Sequence, residues 1–195
     1  TGWDDGDRNA PELARIAEDC GIAMITVHGR TRCQFYKGRA DWGFIARVKA
    51  AVSIPIILNG DVVSPQIVKD AFDSTGCDGV MIGRGAITHP WIFRDTRSYL
   101  RTGQPSPPPT LAQRAHLCLR HLRLSVELRG ERYGVIGMRR HFAGYFRGVS
   151  GAARLGGELA RFIDAEPLRQ RLLQLAESPP PEQPVSADPP AAPAT

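Results

Sequence analysis

The 195-residue sequence lacks the patterns that define several large classes of protein. It has no run of about 18 consecutive apolar residues, so no membrane-spanning helix is predicted. Its four cysteines form no C-x-x-C pair and no cluster with histidines, so we expect reduced thiols and neither a metal site nor a disulfide framework. No G-x-G-x-x-G follows an apolar strand and no P-loop is present, which argues against a doubly wound dinucleotide fold and a nucleoside triphosphatase.

The sequence also lacks an initiator methionine, and it begins with the acidic segment TGWDDGD. This segment has no basic stretch followed by an apolar core, so it is not typical of a signal peptide. It is similar to the interior of a domain, and we therefore expect further residues upstream and a cytoplasmic location.

Lysine is absent from residues 110–177, and the charge of this segment differs from that of the rest of the chain. Residues 1–109 carry 13 basic and 12 acidic residues, whereas residues 110–177 carry 12 arginines and six acidic residues. Guanidinium groups suit bidentate and stacking contacts with phosphates and bases. The segment therefore indicates a surface that faces nucleic acid, and a solvated helical surface is the alternative.

Proline marks two boundaries in the chain. Residues 103–109, GQPSPPP, predict an extended linker, because proline removes backbone donors and favours polyproline II geometry. Residues 178–195 are mostly proline, alanine and serine and predict a disordered tail. The sequence thus predicts one domain over residues 1–102 and a second over residues 110–177.

Helix and strand patterns alternate before the linker. Short apolar strands are predicted at residues 22–27, 54–58 and 79–82, and Asn9, Asp41 and Ser64 are predicted to cap the helices between them. The predicted inner faces of these helices are Leu13, Ile16, Ala17 and Cys20; Phe44, Ile45 and Val48; and Ile67, Val68, Ala71 and Phe72. Strands of this kind, covered by amphipathic helices, predict a parallel sheet. After the linker, helices are predicted at about residues 111–128, 135–146, 158–163 and 167–176, forming a small bundle.

Polar, glycine-rich segments follow each predicted strand. They are HGRT at residues 28–31, NGD at residues 59–61 and GRGA at residues 83–86. Ligands of parallel α/β proteins lie beyond the carboxyl ends of the strands, and in an eightfold barrel the last two loops commonly hold a phosphate. Glycine lets a backbone N–H approach an anion, and arginine then binds its oxygens. Each segment alone is also compatible with an ordinary turn or a structural histidine, but three consecutive strand ends predict an anion site.

These segments belong to a longer ordered series of motifs. The series is TVHGRTR at residues 26–32, FYKG at 35–38, ADW at 40–42, IP at 54–55, NGD at 59–61, GCDGVMIGRG at 76–85, PWIF at 90–93 and MRRH at 138–141. In this order and combination, the motifs resemble the bacterial tRNA-dihydrouridine synthases. The resemblance covers about residues 1–177.

The resemblance implies a fold and a chemistry. The fold is α/β: the C-terminal part, with the last three strands, of a TIM-type (β/α)8 barrel that binds FMN, followed by a small all-α bundle that binds tRNA. The reaction is reduction of the C5=C6 bond of a tRNA uridine with electrons from NADPH. The implied FMN-binding residues are His28, Asn59, Gly60, Asp61, Gly83 and Arg84, and the implied RNA-binding residues are Arg30, Arg139, Arg140 and His141.

The sequence departs from the family in one respect that affects catalysis. The family's acid-catalyst cysteine lies in a Gly-Cys-Pro motif, and neither this motif nor the family's flavin-contacting lysine motif is present in these residues. Cys33 follows the wrong strand to replace that cysteine, so we assign no catalytic residue. Three barrel strands would leave two open edges. We therefore expect the isolated chain to be unstable or oligomeric and inactive as a synthase.

Two other functions remain open at this point. The chain is compatible with a non-catalytic tRNA-binding remnant, in which the arginine-rich helices fold and bind RNA. It is also compatible with part of another FMN barrel oxidoreductase that acts on a small molecule, although the basic helices disfavour this. The sequence specifies no protein partner.

Overall fold

The computed structural model describes residues 1–177, so the predicted tail at residues 178–195 lies outside the described residues. In chain order, the elements of the described residues are α1 (Ala10–Asp19), β1 (Ile25–His28), α2 (Trp42–Ala51), β2 (Ile56–Asn59), α3 (Pro65–Thr75), β3 (Gly79–Met81), α4 (Arg84–Thr88), α5 (Ile92–Thr102), α6 (Leu111–Arg129), α7 (Glu131–Tyr145), α8 (Ala152–Leu159) and α9 (Ala165–Glu177).

The three strands form a parallel sheet in the order β1, β2, β3, which confirms the predicted α/β class. Ile25 pairs with Ile56, and Asn59 pairs with Met81, so the carboxyl ends of all three strands lie along one edge of the sheet. The first strand begins three residues later than predicted. Because β2 begins at Ile56, residues 22–24 have no strand beside them with which to pair.

Capping residues start the two helices on either side of β2. The Asp41 carboxylate accepts a hydrogen bond from the N–H of Phe44 at 2.9 Å, and the Ser64 hydroxyl accepts one from the N–H of Ile67 at 3.3 Å. Both bonds satisfy an amide that has no partner within its own helix. The buried apolar core between helices and sheet contains Val27, Phe44, Ile45, Val48, Ile56, Leu58, Val68 and Ala71.

The first helix differs from its prediction. Asn9 occupies the N-cap position, but its side chain makes no capping hydrogen bond. The helix packs against the core through Ala14, whereas Leu13 and Ile16 are 54% and 51% exposed. The predicted inner face was therefore wrong, and no described residue covers this apolar stripe.

Helices α6 to α9 share a second buried apolar cluster, separate from the first. Its members are Ala115, Cys118, Leu122, Val135, Met138, Phe142, Tyr145, Phe146, Leu159, Leu168, Leu172 and Leu175. Thr110 and Gln113 form a capping box at the start of α6, with each side chain bonded to the other residue's backbone N–H. The third of these helices was predicted at residues 158–163, but α8 spans Ala152–Leu159 and the chain turns after it.

Candidate functional site

A cleft of about 390 Å³ lies at the carboxyl edge of the sheet. It is lined by His28, Tyr36, Asn59, Gly60, Asp61, Val62, Val63, Met81, Gly83, Arg84, Gly85 and Thr88. The structure thus brings together all six residues for which the sequence predicted cofactor binding. It also adds Tyr36, Met81 and Thr88, which the sequence analysis did not assign to the site.

Asp61 is the most highly connected side chain of the cleft. It follows β2 with a backbone φ of 58°, a left-handed conformation that non-glycine residues seldom adopt. Its carboxylate accepts hydrogen bonds from the Ala40 N–H at 2.7 Å and from the Arg30 guanidinium at 2.9 Å. Burial alone would raise the pKa of Asp61, but Ala40, Arg30 and Arg84 together hold this pKa below its ordinary value. Asp61 is therefore a fixed anion at neutral pH.

Arg30 faces into the protein. The residue is only 5% exposed, and its guanidinium donates to the carbonyl oxygens of Lys37 and Gly38 as well as to Asp61. Its Nη1 atom is buried without a hydrogen-bond partner among the described residues. The family resemblance of the sequence implied an RNA-binding role for Arg30. In the structure, its contacts instead fix Asp61 and the loop at Lys37 and Gly38.

Arg84 is the cation that faces the cleft. Its side chain is 65% exposed, and its Nη2 atom lies 3.7 Å from an Asp61 oxygen. The guanidinium also lies 4.9 Å from the centre of the Tyr36 ring, a cation–π contact that orients it over the cleft. The neighbouring Gly83 would direct a side chain into open space, whereas a Cβ at Gly85 would meet the Val62 carbonyl oxygen at 2.5 Å. The absence of a side chain at Gly85 thus allows the start of α4, directly after β3, to lie against the loop after β2. Apart from its chain neighbours, no atom of residues 1–177 lies within 4 Å of a Cβ built at Gly83.

His28 and Asn59 close the sides of the cleft. The His28 ring lies edge-on to Tyr36, with 6.0 Å between ring centres. Burial and then the charge of Arg30 lower the pKa of His28, so its imidazole is neutral at pH 7. The Asn59 side chain donates to the Met81 carbonyl at 3.0 Å and so joins the ends of β2 and β3.

The other predicted RNA-binding residues lie on α7. Arg139 and Arg140 are exposed, and neither belongs to an ion pair within residues 1–177. His141 is half-buried between α6 and α7, with its ring 4.7 Å from that of His121. The sequence analysis did not single out His121, because no motif marks it and its contact with His141 depends on how the two helices pack.

Three further features of the described part of the chain bear on the site. Cys33 is exposed and does not line the cleft. In residues 1–177, no group of three or more His, Cys, Asp or Glu side chains is arranged to hold a metal ion. Over the same residues, every helix is too short or too polar to span a membrane.

The family model and the individual relatives that match this chain are described as the same kind of protein. A family model described as dihydrouridine synthase (Dus) matches residues 1–178. A probable tRNA-dihydrouridine synthase of Rickettsia bellii is 42% identical over 177 residues, which are 91% of this chain and 54% of that protein. tRNA-dihydrouridine synthase B of Xanthomonas campestris is 49% identical over 145 residues, covering 74% of this chain and 44% of that protein. The chain thus spans about half the length of the curated relatives that it matches.

Proposed function

The chain belongs to the dihydrouridine synthase family, and we propose that it forms the part of an FMN-dependent tRNA-dihydrouridine synthase that binds the cofactor phosphate and the tRNA. The observation that carries the proposal is the cleft at the sheet edge, where His28, Asn59, Gly60, Asp61, Gly83 and Arg84 converge. When bound, FMN would supply the reducing equivalents for the C5=C6 bond of uridine, with NADPH as the electron source.

The charges and shape of the cleft fit a phosphate group. Arg30 and Arg84 together exceed Asp61 by one positive charge, because His28 is neutral. Arg84 is exposed toward the cleft, and the space beside Gly83 is open, so a phosphate can approach both the guanidinium and the backbone. In this proposal Gly83 and Arg84 bind the phosphate. Asn59, Gly60 and Asp61 hold the adjoining chain of FMN, and His28 contacts the flavin ring.

We further propose that residues 1–102 are the last three βα units of a TIM-type (β/α)8 barrel, joined by residues 103–109 to a helical tRNA-binding domain at residues 110–177. The parallel sheet and the two separate apolar clusters support this division. Within the described residues, β1 and β3 each have a strand on one side only, and Leu13 and Ile16 are uncovered. Additional barrel strands and helices would pair with these edges and cover this stripe.

The proposed RNA surface rests on the charge of the helices. Residues 110–177 contain 12 arginines and six acidic residues, and Arg139 and Arg140 have no carboxylate partner in the described part of the chain. Phosphate neutralisation is the sequence-independent part of nucleic-acid binding. A tRNA substrate and a cytoplasmic location follow from this proposal.

We assign no catalytic residue within this chain. None of its four cysteines lies in a Gly-Cys-Pro motif, and Cys33 is outside the cleft. We therefore propose that the 195 residues alone do not reduce uridine. A non-catalytic tRNA-binding role is the second candidate function, favoured by the same arginine-rich helices. Specific FMN binding by the chain favours the synthase part, whereas tRNA binding without FMN binding favours the second candidate.

Flavin titration tests the cleft. Binding of FMN and of riboflavin, which lacks the phosphate, is measured by flavin fluorescence for the unmodified chain and for Arg84→Ala. Loss of one charge-assisted hydrogen bond, worth about 1.5–3 kcal/mol, should weaken FMN binding about 10- to 100-fold and leave riboflavin binding nearly unchanged.

Arg101→Ala is the matched control, because Arg101 is an exposed arginine at the end of α5 and does not line the cleft. This variant should bind FMN like the unmodified chain. Equal losses of FMN and riboflavin affinity in Arg84→Ala, or no loss of either, would contradict the assignment of Arg84 to the phosphate.

A further inference from the structure

A second, smaller pocket of about 190 Å³ lies between α6 and α7. It is lined by His121, Leu124, Ser125, Leu128, Arg129, Gly137, Arg140 and His141. Four of these residues are basic and none is acidic. Neither Arg129 nor Arg140 takes part in an ion pair within residues 1–177. The pocket therefore concentrates cationic and imidazole donors without a protein anion to neutralise them.

Hydrogen bonds and ring contacts hold the two histidines of this pocket in place. His121 Nδ1 lies 3.0 Å from the Tyr145 hydroxyl, and the Nε–H of Arg140 donates to His141 Nε2 at 3.1 Å. Burial raises the pKa of Tyr145, so its hydroxyl keeps its proton at neutral pH and can donate to His121. The contact with Tyr145 holds the orientation of the His121 ring in the pocket.

The electrostatic environment of both imidazoles favours a bound anion. Burial is the main factor that lowers the pKa of His121, and Arg140 and Arg129 lower it further. Burial also lowers the pKa of His141, followed by the effects of His121 and the same two arginines. Both imidazoles are therefore neutral near pH 7, and Arg129 and Arg140 are the charged groups of the pocket. An anion between the two guanidiniums would offset their repulsion, and guanidiniums are suited to bind its oxygens.

The location of the pocket relates it to the first cleft. Gly137, the adjacent pair Arg140 and His141, and Gly144 follow one another at intervals of three or four residues, so they lie along one side of α7. Gly144 packs against the backbone at Ile87 in α4, and α4 also supplies Arg84 and Thr88 to the first cleft. His141 is three residues from Gly144, about 4.5 Å along the helix axis. The pocket and α4 thus contact α7 at positions about one helical turn apart.

We propose that the pocket formed by His121, Arg129, Arg140 and His141 binds one backbone phosphate of an RNA strand. The choice of RNA as the source of the phosphate rests on the proposed function, whereas the anion site itself rests on the pocket. A phosphate held here would fix the position of the strand on α6 and α7 close to the cleft. This differs from a diffuse basic surface, in which every exposed arginine contributes alike.

Imidazole NMR on the full 195-residue chain, titrated with inorganic phosphate, tests the anion site without RNA. The His121 and His141 resonances should shift together and saturate. His116 is the internal control, because it is an exposed histidine on α6, the helix that carries His121, and does not line the pocket. Equal, unsaturated shifts of all three histidines would overturn the proposal.

Binding of a tRNA transcript at several salt concentrations tests the source of the phosphate. Arg129→Gln and Arg140→Gln should each weaken binding about fivefold or more, and each should reduce the slope of log affinity against log salt by about one. Arg132→Gln is the matched control, since Arg132 is exposed on α7 and lies outside this pocket. Circular dichroism of each variant verifies that it is folded.

The two measurements separate the inference from the proposed function. Equal effects of Arg132→Gln and Arg140→Gln on tRNA affinity would overturn the pocket and leave a diffuse RNA surface. Saturable shifts of His121 and His141 by phosphate in a chain that does not bind tRNA would support the anion site and overturn the RNA assignment. No specific shift and no pocket-dependent loss of tRNA affinity would overturn both.

Discussion

At the scale of single residues, the ion pair between the buried Arg30 and the partly exposed Asp61 determines the shape of the cleft. Arg30 lies two residues after β1 and bonds Asp61, two residues after β2, and it also binds two carbonyl oxygens of the intervening loop. One side chain therefore fixes the left-handed backbone at Asp61 and the loop that carries Tyr36. Because all of these contacts need a planar group with several donors, lysine is a poor substitute at this position.

Arg30→Met should lower the free energy of unfolding by about 2–3 kcal/mol. The substitution removes charge-assisted hydrogen bonds and leaves Asp61 without its main counter-ion, although partial exposure of Asp61 moderates the cost. Urea denaturation measures the change. Arg32→Met is the control, because Arg32 is exposed and its guanidinium stacks on the Phe35 ring. Equal losses in the two variants would contradict the buried role of Arg30.

The sequence was sufficient to group the residues of the cleft but not to orient Arg30. His28, Asn59 and Gly83 follow consecutive parallel strands, and the ends of such strands necessarily meet at one edge. The direction of Arg30 depends instead on carbonyl oxygens seven and eight residues away and on a carboxylate 31 residues away. No local sequence pattern reports contacts at these separations, so an arginine that faces the interior and one that faces solvent look the same in the sequence.

At the scale of elements, capping residues predicted the starts of α2 and α3, whereas the bounds predicted for the third helix of the bundle were wrong. Asp41 and Ser64 cap their helices as expected. The third helix of the bundle was predicted at residues 158–163, after Gly156 and Gly157, and glycine lowers helix propensity. The helix nevertheless forms over Ala152–Leu159, because Leu159 packs into the cluster of α6 to α9. Tertiary burial, which the local sequence does not show, determined this element.

The contact between α4 and α7 depends on the absence of a side chain at Gly144. A Cβ at this position would overlap the carbonyl oxygen of Ile87, which is backbone and cannot rotate away. Gly144→Ala should therefore destabilise the chain by about 1–3 kcal/mol, the usual cost of overpacking. The midpoint of chemical denaturation measures this change.

Gly157→Ala provides the opposite expectation in a matched substitution. Gly157 is exposed in α8, and a Cβ there would meet no atom within 4 Å. Alanine should stabilise this helix by about 0.5–1 kcal/mol. If Gly144→Ala also stabilised the chain, the close approach of α4 and α7 would be wrong.

At the scale of the whole molecule, Arg114 joins the helical part to the rest of the chain. It is a buried arginine of α6 that donates to the carbonyl oxygens of Pro109 and Tyr145, and its guanidinium lies 5.4 Å from the centre of the Trp91 ring. The sequence predicted a basic helical segment from its excess of arginine. It did not distinguish Arg114, which is an internal link, from the exposed Arg140, because charge composition does not report burial.

The histidines give the folded chain a predictable dependence on pH. Burial is the main factor that lowers the pKa of His28, His121 and His141 below the ordinary value of about 6.5. As the pH falls through 6.5, the unfolded chain therefore takes up protons before the folded chain does. The free energy of unfolding should decrease from pH 7.5 to pH 5.5, a range above the titration of most carboxylates.

The double variant His121→Gln, His141→Gln isolates the contribution of the helical pocket to this pH dependence. Its free energy of unfolding should fall less steeply between pH 7.5 and pH 5.5 than that of the unmodified chain. His116→Gln is the matched control, because His116 is exposed on α6 and lies outside the pocket. Urea denaturation at each pH measures the slopes. Equal slopes for the double variant and the unmodified chain would contradict the lowered pKa values of His121 and His141 in the folded state.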